Sequence, residues 1–462
     1  MNKSTYNGFN LIKWGLKPGP WFKNAIEKAN TLFEKGVSET DIIALLQEEQ
    51  PTYLEMRDPL KDKMVPFNVF LEPDTPEEQK NYDAVMKTMK DIMRVPVVTA
   101  GAVMPDACPA GTIPVGGVVV SEMIHPNYHS ADVCCSMAIT ILDKECDPKE
   151  LLDIIQELTH FGPTRREHRP VDLPAGFTNQ FKYNEFLSGL EDVAIEHFST
   201  QGDGNHFYYV GRIESSNRLA IVSHHGSRGF GAKVYKRGKT AAERYTQTVA
   251  PSVPKAHAWL DVNTKLGFDY WEALWAVRSW TKLNHFRLHD EALKRVGSEI
   301  EARFWNPHNF VFINNDGKFA HAKGATPSYA KHSHDDSNLS LIPMNMAEPI
   351  LITAHTNNEH ALGFAPHGAG RNVSRTEFLR NNSPSQPEGI DVRFWSGRED
   401  KSELPQAYKK ADKIIASIKE NNLARVVNRV MPYGSIMAGD CDYDAPWMVK
   451  RRAKLAAKND NV

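Results

Sequence analysis

The fold is decided by three apolar runs, VPVVTAGAVM at 95–104, TIPVGGVVVSEMI at 112–124 and SMAITILD at 136–143. Each run is rich in valine and isoleucine and is interrupted or bounded by Gly, Pro or Asp, a pattern typical of strands joined by tight loops. Similar patterns predict strands at 206–213 and 219–224. Helices lie between the strands without regular βαβ alternation, so we predict an α+β fold with mixed strands and helices around a central metal-binding cleft.

Helical spacing of apolar residues predicts two helices separated by Gly36 and a third that follows the cap Thr75 and stops before Pro96. A long helix is predicted from Tyr270 to about Val296, and a last one near 403–421. These elements divide the chain into an N-terminal helical extension over 1–95, a catalytic domain over 96–440 and a basic tail over 441–462.

The composition limits the class of protein. The chain has 462 residues, a formal net charge of −2 and five cysteines without framework spacing, which argues against a disulfide scaffold. No apolar run approaches the roughly 18–20 residues of a membrane span, and the N-terminus lacks the apolar stretch of a secretion signal. We therefore expect a monomeric cytoplasmic protein with thiols free for metal binding. Near-neutral charge neither supports nor excludes a nucleic-acid partner.

Four segments, DVCCSM, GDGNHF, HHGSRGFG and HNF, place Asp, Cys or His beside Gly or Asn at predicted strand ends. Adjacent cysteines form a strained disulfide, so a thiolate ligand is the functional interpretation of the first segment and a buried structural thiol is the alternative. Ordinary turns or loops are the alternative for the other three. Taken together, the segments offer five ligands: Asp132, Cys135, His206, His224 and His308.

Five ligands are too many for one tetrahedral catalytic ion with an open position, but they suit two ions that share the thiolate. Two such ions can clamp the oxygens of a phosphoryl displacement. The segment His367-Gly368-Ala369-Gly370-Arg371 then offers an imidazole nucleophile, backbone N–H groups close to phosphate oxygens and a forked cation. We predict that His367 carries a nucleotidyl group.

Two further clusters are weaker candidates. His285 and His289 have i, i+4 spacing on the long helix, but no Glu lies between them, so packing or a phosphate contact is favoured over zinc. The cluster of His332, His334, Asp335 and Asp336 is interpreted as a solvated loop.

Several motifs in this order resemble those of the RtcB family, the GTP-dependent tRNA-splicing and RNA-repair ligases. They are MPDACPAG, DVCCSM, GDGNHF, HHGSRGFG, HNF with HAKGAT, HGAGRNVSR, QAYKKAD and MPYGSIMAG, and they run from about residue 104 to 439. The resemblance implies an enzyme that uses GTP and two Mn(II) ions to join an RNA 3′-phosphate or 2′,3′-cyclic phosphate to a 5′-hydroxyl. It also implies that His367 is guanylylated and that the five ligands hold the metals.

The resemblance extends to the nucleotide and the RNA. Asn205 matches a phosphate contact and Tyr408 a residue near guanine, and further nucleotide contacts are expected at Phe207, His308, Asn309, Asn345, Gly368, Ala369, Gly370 and Arg371. RNA phosphates are expected to contact Arg228, Lys323 and Arg375. Basic residues at Arg165, Arg166 and Arg169 and over 450–454 are interpreted as solvated, with RNA contact as the alternative.

Four positions depart from the family pattern. Tyr209 replaces a guanine-contacting Glu, Met437 a Lys, Ile350 a Ser and Cys108 the His of the first motif. The pattern therefore predicts altered or relaxed nucleotide choice, or guanine recognition by another group such as Glu348. The alternatives to a ligase are a two-metal phosphodiesterase or phosphatase acting on RNA ends and a non-catalytic RNA-binding module.

Overall fold

The computed structural model describes residues 5–16, 21–49, 57–162, 173, 177 and 180–440. The predicted basic tail and the three arginines at 165, 166 and 169 lie outside these residues. Contacts divide the chain into two compact units, Met1–Met56 and Arg57–Val462. The described residues of the first unit form three helices, α1 (Gly8–Lys13), α2 (Phe22–Glu34) and α3 (Glu39–Glu49), whose buried core includes Leu11, Ala29 and Ile42.

The second unit contains the other helices. They are α4 (Pro76–Ile92), α5 (Pro126–His129), α6 (Pro148–Leu158), α7 (Gln180–Tyr183), α8 (Glu191–Glu196), α9 (Arg228–Val249), α10 (Lys265–Val296), α11 (Arg375–Asn381) and α12 (Ala411–Glu420). Short 3-10 helices lie at Lys255–His257, Glu359–Ala361, Lys401–Glu403 and Pro405–Ala407.

The strands form three sheets. Their bounds are β1 (Phe67–Val69), β2 (Val98–Cys108), β3 (Val115–Ser121), β4 (Ser136–Leu142), β5 (Phe207–Ile213), β6 (Leu219–His225), β7 (Ile300–Pro307), β8 (Asn309–Ile313), β9 (Phe319–Lys323), β10 (Ala325–Pro327), β11 (Leu339–Ile342), β12 (Ile350–Ala354), β13 (Phe364–Pro366), β14 (Asp391–Phe394) and β15 (Arg425–Met437). One sheet has the order β1-β2-β3-β9-β8, a second pairs β10 with β13, and the largest has the order β11-β12-β15-β5-β6-β4-β7 with β14 added beside β15. The predicted α+β class is confirmed.

The division between the units lies upstream of the boundary that the sequence predicted at residue 95. Helix α4 begins as expected, with the Thr75 hydroxyl accepting the Glu78 N–H, but it packs on β2. Its buried residues Val85, Met89 and Ile92 therefore belong to the second unit, because they cover the strand that follows.

Helix α10 fixes the centre of the large sheet through polar side chains. His285 bonds Ser136 Oγ at 3.0 Å and Ser223 Oγ at 2.7 Å, and His289 bonds Thr140 Oγ1 at 2.9 Å. Both histidines are buried, so the structure gives this pair the packing role that was preferred to zinc. The same contacts hold β4, which Cys135 directly precedes, and β6, which contains His224.

The loop at 332–336 differs from the prediction of a solvated loop. His332 is 8% exposed, and Asp335 forms ion pairs with Arg278 and Lys282. His334 alone of the four predicted residues is exposed. The sequence pattern was misleading because the partners come from α10, far away in the chain.

In the part of the chain that the structure describes, no helix combines the length and hydropathy needed to cross a bilayer.

Candidate active site and metal centre

Strand pairing brings the five predicted ligands together. Cys135 directly precedes β4, His206 precedes β5, His224 lies in β6 and His308 lies between β7 and β8. In the large sheet β4 lies between β6 and β7, and β5 is the next strand beyond β6, so the ends of these strands are neighbours. A left-handed turn at Cys134 (φ 59°) and a bond from the His308 N–H to the Cys135 carbonyl at 2.9 Å fix the loop that carries the thiol.

The ligand atoms form two groups that share Cys135. The first contains Cys135, His224 and His308, and the second contains Asp132, Cys135 and His206. The Cys135 Sγ lies 3.2 Å from His224 Nε2 and 3.5 Å from His206 Nε2. His224 Nε2 lies 3.2 Å from His308 Nε2, and His206 Nε2 lies 3.3 Å from Asp132 Oδ2. Ligands at bond lengths of about 2.0–2.3 Å from one ion lie about 3.3–3.8 Å apart, close to these separations.

Backbone carbonyls set the tautomers of two of the histidines. His206 Nδ1 donates to Gln201 O at 2.7 Å, and His224 Nδ1 donates to Asn205 O at 3.0 Å. In the neutral rings the Nε2 lone pairs then face the thiol, which is the arrangement that a metal ligand needs. The donor set of imidazole, thiolate and carboxylate therefore fits divalent transition metals.

Electrostatics of the site agree with metal binding. Burial lowers the pKa of His224 to about 3 and that of His308 well below its usual range, so both imidazoles are neutral at pH 7. Burial and the Asp132 carboxylate raise the pKa of the Cys135 thiol well above its usual range. A bound cation reverses that effect, because a coordinating thiol is deprotonated.

His367 directly follows β13 and lies beside the first ligand group, with its ring centroid 4.9 Å from that of His308. Its Nδ1 lies 2.7 Å from Asp106 Oδ2, and the Asp106 side chain is fully buried in β2. When Nδ1 donates to this carboxylate, Nε2 is left with its lone pair free for attack. Asp106 was not predicted as a site residue, although it lies in the motif MPDACPAG that resembles the family.

The glycines of the site leave room for backbone and carboxylates. A Cβ at Gly370, which has φ +72°, would lie 2.0 Å from the Asp106 carbonyl oxygen. A Cβ at Gly226 would lie 1.9 Å from Asp132 Oδ1. Any larger residue would therefore displace Asp106 or the ligand Asp132.

A cavity opens beside His367 and the first ligand group. Among the residues predicted to bind nucleotide, those that line it are Asn205, Phe207, Asn345, Gly368, Ala369, Gly370, Arg371 and Tyr408. Asn309 instead ties the loops together, since its Oδ1 accepts the Gly324 N–H at 2.7 Å. His308 also lies outside this lining and belongs to the metal-ligand group.

The four departures from the family pattern, Cys108, Tyr209, Ile350 and Met437, all line this cavity. The Tyr209 hydroxyl donates to Val430 O at 2.9 Å. These positions make this part of the cavity largely apolar. Among the described lining residues the carboxylate belongs to Glu403, whereas the sequence had suggested Glu348.

Glu403 is 1% exposed and was not predicted as a site residue. Its Oε2 accepts bonds from Arg371 Nη2 at 2.6 Å and from the Tyr408 hydroxyl at 2.5 Å, and its Oε1 pairs with Arg375 Nη2 at 2.5 Å. The carboxylate thus holds Arg371 over the Tyr408 ring, with the guanidinium carbon 4.8 Å from the ring centroid.

The three residues assigned to RNA phosphates have different surroundings. Arg375 lines the cavity and its side chain is 47% exposed. Arg228 donates to Gly162 O at 2.8 Å, and Lys323 Nζ donates to the carbonyls of Ala110 at 2.9 Å and Ile113 at 3.1 Å. Burial lowers the pKa of Lys323 to about 8. Arg375 is thus the cation of the three that most freely faces a ligand.

Comparison with known proteins shows the family to which the chain belongs. A family model described as tRNA-splicing ligase RtcB matches residues 175–438, more than half of the chain. The chain therefore belongs to the RtcB family.

Individual relatives are distant. The chain is 28% identical to an RNA-splicing ligase RtcB of Mycobacterium bovis over 274 residues, 51% of this chain and 63% of that protein. It is 25% identical to a tRNA-splicing ligase RtcB of Pyrobaculum aerophilum, over 72% of this chain and 87% of that protein. An RNA-splicing ligase RtcB of Escherichia coli K12 is 24% identical over 71% of this chain and 87% of its own length. The match therefore spans less than two thirds of the mycobacterial relative.

Proposed function

We propose that this chain is an RNA ligase that joins a 3′-phosphate or 2′,3′-cyclic phosphate end to a 5′-hydroxyl end, in RNA repair or tRNA splicing. The observation that carries the proposal is the contact of His367 Nδ1 with the buried Asp106 carboxylate at 2.7 Å, beside two ligand groups that share a thiol. An imidazole oriented in this way can take up and release a nucleotidyl group.

The reaction that we propose has three displacements. His367 Nε2 attacks the α-phosphorus of GTP, so an N–P bond forms and pyrophosphate leaves. An oxygen of the RNA 3′-phosphate then attacks the same phosphorus, and the N–P bond breaks. Finally the 5′-hydroxyl loses its proton and attacks the activated 3′-phosphate, and GMP leaves. A cyclic phosphate must first be opened by water.

The residues of the chain have separate parts in this sequence. Asp106 accepts the Nδ1–H of His367 and so stabilises the positive imidazolium that forms when Nε2 becomes bonded to phosphorus. The N–H groups of the loop at 368–370 and the Arg371 guanidinium are placed to receive phosphate oxygens. Arg375 is the cation suited to a phosphate at the cavity.

Two Mn(II) ions are proposed for the two ligand groups. Asp132, Cys135, His206, His224 and His308 would hold them, and when bound they would supply positive charge to phosphate oxygens. The five ligands converge from four separate segments of the chain, which a phosphate-binding loop alone does not require. A reducing compartment such as the cytoplasm would keep the Cys135 thiol available.

The apolar part of the cavity, lined by Cys108, Tyr209, Ile350 and Met437 and called the base pocket below, supports a change in nucleotide choice. In the family pattern a Glu and a Lys would form charged hydrogen bonds to guanine, and in this chain Tyr209 and Met437 occupy their positions. The Tyr209 hydroxyl is already bonded to Val430 O. We expect weaker preference for GTP over ATP than a charged pocket would give, because paired polar recognition contributes most to such discrimination. Glu403, the carboxylate of this lining, is already bonded to Arg371, Tyr408 and Arg375.

The test is a labelling experiment. The protein is incubated with Mn(II) and each α-labelled nucleoside triphosphate, and the adduct is located by mass spectrometry. His367→Ala should abolish both the label and the joining of RNA ends, whereas the control His360→Ala, at an exposed histidine, should retain both. Label that persists in His367→Ala would remove His367 from its role.

The remaining outcomes separate the alternatives. RNA-end hydrolysis without any adduct would favour a two-metal phosphodiesterase or phosphatase, and RNA binding without bound metal would favour a non-catalytic module. Label from GTP alone would contradict the altered base pocket while leaving the ligase proposal intact.

A further inference from the structure

A third group of metal-binding side chains lies outside the candidate active site. It consists of His332 and Asp336, in the loop between β10 and β11, and His355, directly after β12. Their side chains are 4%, 5% and 4% exposed. One ligand atom from each residue lies within 4.8 Å of the others. The group is thus compact and enclosed.

The carboxylate is held by its own loop. Asp336 Oδ2 accepts the Lys331 N–H and Oδ1 accepts the Asn338 N–H, each at 2.8 Å. His332 Nδ1 lies 3.6 Å from Oδ1, and His355 Nδ1 lies 3.9 Å from Oδ2. Carboxylate oxygens have further lone pairs, so they can also bind a cation between the two rings. The two separations are too long for hydrogen bonds.

His355 supplies an independent indication of a ligand. Neither of its ring nitrogens has a hydrogen-bond partner in the structure, although its side chain is 96% buried. A buried imidazole without partners is destabilising, and a bound ion would give its Nδ1 a partner. His332 Nδ1 donates to Tyr329 O at 3.2 Å, so the lone pair of His332 that is left for an ion is the one on Nε2.

We propose that His332, Asp336 and His355 bind one divalent transition-metal ion of the zinc type, distinct from the ions of the active site. Two imidazoles and one carboxylate are a donor set that zinc accepts, with a water molecule or a backbone carbonyl as the fourth ligand. The ion links the loop at 328–338 to the end of β12, two segments that also meet through hydrogen bonds such as Asn357 N–H to Ser328 O at 2.8 Å and Ala330 N–H to Asn357 Oδ1 at 2.9 Å.

The position of the ion gives it a structural role. The Tyr329 ring packs against His332 and Phe364, with centroid distances of 5.7 Å in both cases. Phe364 is the first residue of β13, and His367 directly follows that strand. A metal at this point therefore restrains the start of β13, the strand that directly precedes the candidate nucleophile His367.

The test uses the full chain with Cys135→Ala, which removes the ligand shared by both active-site groups. This parent is stripped with chelator, dialysed against buffered Zn²⁺ and analysed for bound metal. We expect about one ion per chain in the parent and in the control His334→Ala, an exposed histidine of the same loop. His332→Gln and His355→Gln, made separately in the same parent, should each bind zinc at least tenfold more weakly.

Two results would overturn the proposal. One is a parent that binds no zinc, which would make the group a metal-free polar cluster. The other is zinc binding that neither glutamine variant weakens, which would place the ion elsewhere. Two separate variants are used because either one can fail to fold. None of these results depends on ligase activity, so the proposed function can fail while this site stands.

Discussion

At the scale of single residues, the contact between His367 and Asp106 gives the most direct prediction. Asp106→Asn should keep the shape of the side chain but remove the negative charge that faces Nδ1. The imidazolium formed during nucleotide transfer would lose its counter-charge, and the ring could adopt the other tautomer. We expect His367 labelling to slow by about 10²–10⁴-fold, by analogy with the orienting carboxylate of a catalytic triad.

The labelling rate of Asp106→Asn is measured in single-turnover experiments with saturating Mn(II) and nucleotide. Asp316→Asn is the matched control, because Asp316 is exposed and lies outside the ligand groups and the cavity lining. A normal labelling rate in Asp106→Asn, with the fold intact by circular dichroism, would show that the contact does not orient the nucleophile.

Candidate ligands were predictable where a reactive residue type lay beside glycine or asparagine at a predicted strand end. Histidine, cysteine and aspartate beside glycine indicated the five ligands, and the structure brings them together. No role was predicted for Asp106, although it lies in the motif MPDACPAG, and Glu403 was missed because nothing local distinguishes it from an ordinary surface carboxylate. Their roles depend on partners elsewhere in the chain, His367 for Asp106 and Arg371 for Glu403.

At the scale of elements, the glycines in α9 explain both an omission and a packing contact. The segment at 228–249 was not predicted as a helix, because Gly229, Gly231 and Gly238 weaken helical propensity. In the structure a Cβ at Gly238 would lie 2.1 Å from the Tyr270 ring of α10. Glycine at this position lets α9 and α10 approach closely. Packing against α10 therefore stabilises α9 despite the low helical propensity of its glycines.

Gly238→Val should therefore destabilise the protein. Tyr270 is fully buried and bonded through its hydroxyl to His129 Nε2 at 2.9 Å, so moving its ring would break a buried hydrogen bond. We expect the free energy of unfolding to fall by about 2–3 kcal/mol, measured from the urea midpoint. Lys233→Val, at an exposed position of α9, should change it by no more than about 0.5 kcal/mol. Equal stability of the two variants would argue against close contact at Gly238.

At the scale of the whole molecule, the order of strands in the large sheet gathers the site. The sequence predicted strands and an α+β fold, but the order β5-β6-β4-β7 depends on pairings between distant segments. That order places Cys135, His206, His224 and His308 at neighbouring strand ends. The same topology implies that ions bound there cross-link segments that the backbone alone joins only through long connections.

Metal binding should therefore stabilise the whole second unit. An ion that binds only the folded chain adds about 2.7 kcal/mol to the free energy of unfolding at a concentration 100-fold above its Kd. We expect Mn(II) to raise the Tm of the chelator-treated protein and Cys135→Ala to lose most of that rise, because both ligand groups need the thiolate. Cys146→Ala, at a thiol outside the site, should retain the rise. An identical Mn(II)-dependent rise in both cysteine variants would mean that the stabilising ion is bound elsewhere, and the shared thiolate would lose its place in the metal centre.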